Sequence, residues 1–229
     1  MKPAPSHTAR TWLAAAALST LPAAALAASG YVTTNEAKLD TIYSQAGFGA
    51  NPIDIRFNTA TSIINVALTV IDNGAEWATL TGLAGNLASP TVNMYFVDKI
   101  LWCGAPTLTT IGCAQQPGNV LALDSAWAAD ATYGGNLAGH ELGHNLNLPH
   151  LMPDNAANLM NPTISASFAL SAGQITTILA SALVQTDAKA KYITVQPIAV
   201  LVPEPAAWAL MLGGVLLLGL ARRRGTSVG

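Results

Sequence analysis

Charge is scarce in this chain: of 229 residues, 10% are charged and 6% aromatic, while 51% are hydrophobic. Soluble domains carry roughly a quarter charged residues. So apolar a composition excludes intrinsic disorder, which needs low hydrophobicity and high net charge. Basic residues are scarcest where a fold would be. Lys2, Arg10, Arg222, Arg223 and Arg224 lie in the terminal segments, so Ala28 to Leu201 holds five basic residues against eleven acidic ones, a net of −6. That balance argues against nucleic acid as a partner, since binding phosphates needs a basic surface. Cysteine is almost absent. Cys103 and Cys113 have nine residues between them and form no CxxC pair, which disfavours a thiolate metal site. In an oxidising compartment they can close a disulfide, a structural link worth roughly 2–3 kcal/mol. Internal repeats are lacking too, which excludes solenoids and propellers.

Long apolar runs occur only at the two ends. Lys2 and Arg10 bracket the approach to a run from Trp12 through Leu26, closed by Ala25-Leu26-Ala27. This small-x-small ending is the form a signal peptidase cuts, so residues 1–27 read as a secretory signal, with a retained anchor as the alternative. At the other end Val202-Pro203-Glu204-Pro205 precedes an apolar stretch over 206–221 and three arginines. Such a stretch spans about 24 Å as a helix, a marginal crossing of a hydrocarbon core of roughly 30 Å. The arginines would stay on the cytoplasmic side. This three-part tail, residues 202–229, resembles the PEP-CTERM sorting signal of Gram-negative bacteria. The resemblance implies an exosortase-type processing enzyme as partner, transient inner-membrane anchoring, and a destination at the cell envelope, outer surface or extracellular matrix. A plain tail anchor is the alternative, and both readings put the domain outside the cytoplasm.

About 175 residues remain between the ends, enough for one domain. Thr33-Thr34-Asn35-Glu36 has capping-box spacing and leads into Leu39, Ile42 and Tyr43, which predicts a helix ending near Gly47. Ile53, Ile55 and Phe57 alternate with Asp54, Arg56 and Asn58 as in a half-buried strand. Ile63–Ile71 is expected as a second strand, Val92–Ile100 as a third and Asn119–Leu123 as a short fourth. Asn136 is expected to cap a helix over Leu137–Leu146. Ser171 and Gln174 repeat the capping spacing before Ile175, Ile178, Leu179, Ala182 and Leu183, predicting a long final helix. Residues 189–201 read as a linker with strand-like alternation, leaving a domain over 28–188. The expected architecture is an α/β (α+β) fold with a mixed sheet and a cleft near its edge.

Histidine is rare but concentrated. His7 lies in the signal, and the other three fall in the run His140-Glu141-Leu142-Gly143-His144-Asn145-Leu146-Asn147-Leu148-Pro149-His150. On a helix, positions 140 and 144 are one turn apart, so both imidazoles project to one side and can share an ion. His150 lies too far along to be delivered by the same straight helix. Asn147 permits the necessary turn, because asparagine tolerates the left-handed conformation that ends helices. Glu141 stands beside the ligands, placed to take a proton from a metal-activated water. By chance His-Glu-x-x-His arises in roughly one chain in two hundred of this length, and a histidine at the sixth position beyond makes coincidence about fifty times rarer.

These residues resemble the metzincin class of zinc metalloproteases, whose motif is H-E-x-x-H-x-x-G-x-x-H followed by a methionine turn. Asn147 stands where the motif has glycine, and Asn158-Leu159-Met160-Asn161-Pro162 looks like the methionine turn in a matrixin-like spacing. The resemblance implies a single zinc-protease domain with a mixed, mostly parallel sheet, an active-site helix and a C-terminal helix. It further implies one catalytic Zn2+ on His140, His144 and His150, Glu141 as general base and Met160 as an apolar base beneath the metal. Pro162 follows the turn where some members carry a tyrosine ligand, so none is expected, and neither cysteine is placed to block the metal from a propeptide.

The activity expected is hydrolysis of protein or peptide substrates, held extended along an edge strand for which Asn119–Leu123 is the candidate. A non-catalytic envelope or matrix protein retaining a structural metal site is the alternative, and a zinc hydrolase acting on another envelope polymer is a third. Asp124 and Asp130 could bind calcium, although the spacing of a calcium loop is missing. Trp77, Trp102 and Trp127 could line a substrate cleft or pack in the core.

Overall fold

Residues 32–83 and 90–201 are described by the structure, a computed structural model. The segments expected as a secretory signal (1–27) and a sorting tail (202–229) lie outside the described residues. Among the described residues no helix is long and apolar enough to cross a membrane. The alternating segment Ile53–Phe57 forms strand β1, with Ile53 and Ile55 buried. Helix α1 (Glu36–Tyr43) precedes it. In chain order there follow β2 (Thr61–Ile64), β3 (Val70–Ile71), α2 (Gly74–Gly82), β4 (Val92–Val97), β5 (Lys99–Ile100), β6 (Gly112–Ala114) and β7 (Val120–Asp124). Then come α3 (Ser125–Ala128), α4 (Gly134–Asn145), α5 (Ala172–Leu179), β8 (Gln185–Thr186) and β9 (Lys191–Leu201).

The result is a mixed α/β fold with a mostly parallel sheet. Its strands run β1-β9-β4-β7-β6, and β2 and β8 also pair with β9. β1, β2 and β4 lie parallel to β9, and β4 parallel to β7; β6 and β8 are antiparallel. β4 and β7 are buried at every position, the near-continuous apolar pattern of strands covered on both faces. Val92, Met94, Phe96, Leu121 and Leu123 join Leu39 and Ile42 of α1 and Leu142 of α4 in one core. Tyr95, Val97, Val120 and Ala122 point the other way, into a second core with Leu80 of α2.

Several expectations are corrected. The segment expected as a linker, 189–201, contains β9, which lies inside the sheet with β1 and β2 on one side and β4 on the other. Lys191, Gln196 and Pro197 break its apolar pattern, so its central place is visible only from pairing. The single strand expected over 63–71 is split. Asn65 accepts a hydrogen bond from the Ala67 N–H at 3.1 Å, turning the chain into a 3-10 helix over Val66–Leu68 between β2 and β3. α1 is entered through Asn35 in the left-handed region (φ 53°) instead of through a Thr33 capping box. α4 begins at Gly134, two residues before the expected cap Asn136. There Asp130 accepts from the Thr132 and Tyr133 N–H groups, and a Cβ on Gly134 would meet the Ala128 carbonyl. The Ser171–Gln174 capping box forms as expected, but α5 ends at Leu179 after eight residues. α2 and β6 had no counterpart in the sequence reading.

Candidate metal centre

α4 is buried along its whole length and carries His140, Glu141 and His144. It ends in a Schellman motif: the Asn147 N–H donates to the His144 carbonyl (2.9 Å) and the Leu148 N–H to that of Gly143 (2.9 Å). Asn147 takes the left-handed conformation this requires, at φ 70°. The reversal carries the chain back over the helix and brings His150 to its two partners. His150 Nε2 lies 3.2 Å from Nε2 of His140 and 3.2 Å from Nε2 of His144. The three ligand atoms all fall within 4.8 Å of one another.

The outer nitrogens settle what those contacts are. His140 Nδ1 donates to the Leu159 carbonyl at 2.7 Å, and His144 Nδ1 to that of Leu148 at 2.8 Å. A carbonyl only accepts, so in each neutral ring Nδ1 carries the proton and Nε2 a bare lone pair. Both lone pairs face His150 Nε2 at 3.2 Å, so the three nitrogens surround a point where a cation can accept all of them once His150 Nε2 is also unprotonated. Burial favours the neutral form: it pulls His140 down to about 4 and lowers His144 and His150 as well. This histidine group, buried at His140 and His144 and exposed at His150, could therefore hold a metal ion, with acceptor carbonyls of the kind that orient metal-binding imidazoles.

Glu141 is 5% exposed, and burial pushes its carboxyl up to about 8. Its carboxyl group packs against the backbone of Gly112 on β6, where a Cβ would stand 2.6 Å from Glu141 Cδ. Sequence reasoning missed Gly112, whose role depends on a neighbour 29 positions away. Met160 is fully buried; a Cβ on Gly143 would stand 2.6 Å from its sulfur, which places the methionine under α4 between the two ligand turns. Its segment is a tight turn held by Asn158, whose Oδ1 accepts from the Met160 N–H (2.9 Å) and the Gln174 amide (3.0 Å). The Leu151 N–H donates to the Met160 carbonyl, tying the segment that carries His150 to that turn. Asn136 serves this segment as well: its amide donates to the Ser165 and Ser167 carbonyls at 2.7 and 3.2 Å.

A cleft of about 590 Å³ opens over the histidines and Glu141, lined also by Ile111, Gly112, Trp127, Leu137 and Ile164. A larger groove of about 970 Å³ at the C-terminal end of α4 contains none of these ionisable groups. The strand expected to border the site, Asn119–Leu123, corresponds to β7, which is enclosed between β4 and β6. The sheet edge at the cleft is β6. Cys103 and Cys113 form the expected disulfide, which anchors β6 to the preceding loop. Asp124 and Asp130, weighed for calcium, each accept N–H bonds that cap turns. Of the three tryptophans among the described residues, Trp127 lines the cleft, Trp102 packs on Gly74 and Trp77 on the second core. Comparison with protein-family models, curated proteins and solved structures gives no match to this chain.

Proposed function

We propose that the protein is a zinc-dependent endopeptidase of metzincin-like, matrixin-type organisation. The observation that carries this reading is the convergence of three imidazole Nε2 atoms, two of them with bare lone pairs, beside a buried carboxyl group that joins no ligand set. Tetrahedral zinc at about 2.0–2.1 Å from each nitrogen sets neighbouring nitrogens roughly 3.3 Å apart, close to the 3.2 Å spacings at His150. His140, His144 and His150 would hold the ion. When bound, zinc supplies a Lewis acid for a carbonyl and for water, and a positive charge that favours the carboxylate form of Glu141.

Glu141 accepts a proton from the attacking water and returns it to the leaving amine nitrogen. Burial against Gly112 keeps its carboxyl group at one place and away from bulk water. β6 offers the free backbone edge along which an extended peptide can pair. Met160 supports the ligand helix from below as an uncharged surface. A purely structural site, the alternative reading, usually fills four positions with protein ligands and has no use for a buried carboxyl group whose ionisation is costly. Among the described residues the metal group has three members.

Digestion of casein or a peptide library by the purified protein tests the proposal. Cleavage should stop on chelation and return with zinc. Glu141→Gln should keep one zinc per chain and lose hydrolysis by roughly a hundredfold or more. Parent-like cleavage by that variant would remove Glu141 from its role, and chelator-resistant cleavage would remove the metal.

A further inference from the structure

Between Arg56 and Asp72, and again between Lys191 and Glu204, the chain holds no charged residue. The fold places these two stretches side by side. β2 runs parallel to the end of β9, with Ile64 opposite Leu201, and the Asn65 N–H donates to the Leu201 carbonyl at 3.1 Å. Ile64 is 68% exposed and Val66 57%. Among the described residues no strand pairs with the outer side of β2. Single exposed aliphatic residues are ordinary on soluble proteins. Two at one uncharged corner of the sheet, Ile64 ending β2 and Val66 opening the 3-10 helix after it, beside the residue from which the tail departs, form a surface.

The tail says what covers it. Val202-Pro203-Glu204-Pro205 separates Leu201 from the apolar stretch 206–221 and its three arginines. Four residues reach at most about 14 Å even when extended, and two prolines stiffen them. With 206–221 in a bilayer, the end of β9 is therefore held within about that distance of the lipid. A surface so close meets the headgroup layer, where exposed aliphatic side chains gain by entering and buried charge would oppose entry. We infer that the Ile64–Val66 edge of the sheet rests on the lipid bilayer that holds residues 206–221. The short tether raises the effective concentration of the bilayer at this edge far above that of any second copy of the chain. β6 is the opposite edge, with β9, β4 and β7 between, so four strand spacings put the metal cleft roughly 19 Å from the docked edge. The cleft then stays clear of lipid and open to substrates in water. This inference rests on the tail as a membrane segment and is independent of the proposed hydrolysis.

Nitroxide labels at Val66→Cys and, as a control near the cleft, at Leu108→Cys test it in the full chain, reconstituted into vesicles of phosphatidylethanolamine and phosphatidylglycerol. Leu108 is 86% exposed, and the native cysteines are paired, so each label goes to the new thiol. The Val66 label should be roughly tenfold less accessible to a water-soluble nickel chelate than the Leu108 label, and more accessible to oxygen. Adding Ile64→Lys to the Val66-labelled chain should restore much of the nickel accessibility while zinc content and unfolding midpoint stay at parent values. Equal nickel accessibility at the two labels would overturn the inference. So would failure of the full chain to float with the vesicles, or spin–spin broadening between Val66 labels, which would show a second copy on this edge.

Discussion

Asn147 is a single residue on which the ligand geometry turns. It sits at φ 70°, where a Cβ costs roughly 1 kcal/mol or more and glycine costs nothing sterically. Asn147→Gly should leave zinc affinity and stability near parent values, whereas Asn147→Ala should lower stability by about 1 kcal/mol and weaken zinc binding. Chemical denaturation and a competitive zinc titration measure both. Glu141 gives a second residue-scale expectation, for the metal-free protein held in chelator. Its folded-state carboxyl is raised by burial to about 8 from an ordinary 4.5, so the native state binds more protons than the unfolded state between those values. Stability then falls as pH rises through that window. The histidines, held below their ordinary 6.5, act in the opposite sense, mainly below that pH and more weakly up to about a unit above it. Between pH 6.5 and 8 the parent should therefore lose about 1–2 kcal/mol relative to Glu141→Gln, in which the histidine contribution is the same, as pH-dependent melting of the two measures. At this scale the meeting of the three histidines, the neighbouring Glu141 and the turn at Asn147 were legible because metal chemistry restricts both residue type and spacing. Gly112 and Asn136 were not. A glycine is informative only once the carboxyl group opposite it is known, and Asn136 resembles a helix cap until its amide is seen bonding to Ser165 and Ser167.

Among the elements, β6 joins the disulfide to the site. Cys113 fixes the strand, Gly112 receives Glu141, and the strand's outer edge borders the cleft. Gly112→Val should leave the fold and zinc content intact, since the clash is with one side chain, but it displaces the carboxyl group from its place. A fall in kcat/KM on the order of a hundredfold is expected, with metal stoichiometry near one. Elemental analysis beside peptide-cleavage kinetics checks this, and parent-like kcat/KM would show that the position of Glu141 is not set by β6. Three residues are too few for periodicity to announce a strand, so β6 is visible only from its pairing with β7. The split of 63–71 was hidden for a related reason: a β-branched run looks like one strand until the Asn65 side chain is seen capping a turn within it. α4 and α5 were legible because capping and ligand spacing mark them, though tertiary contacts moved their ends.

For the whole molecule, β9 decides where the domain stops. It pairs with four other strands and carries Ile193 and Val195 into one core and Ile198 and Val200 into the other. A chain ending at residue 188 should fail to fold, whereas one ending at Leu201 should unfold cooperatively; circular dichroism with thermal melting distinguishes them. A cooperative transition in the shorter chain would show that the sheet closes without its central strand. Sequence alone determined which side chains meet at the candidate centre, because three imidazoles, a carboxyl group and a helix-ending asparagine at fixed intervals leave few geometries in which they can meet. It also determined the disulfide and the mixed α/β character, which follow from local pattern. Only tertiary structure decided the rank of β9 and the edge position of β6, and with them which uncharged surface adjoins the tail. Strand order is set by pairing between distant segments, and hydrogen bonds between backbones carry no residue code.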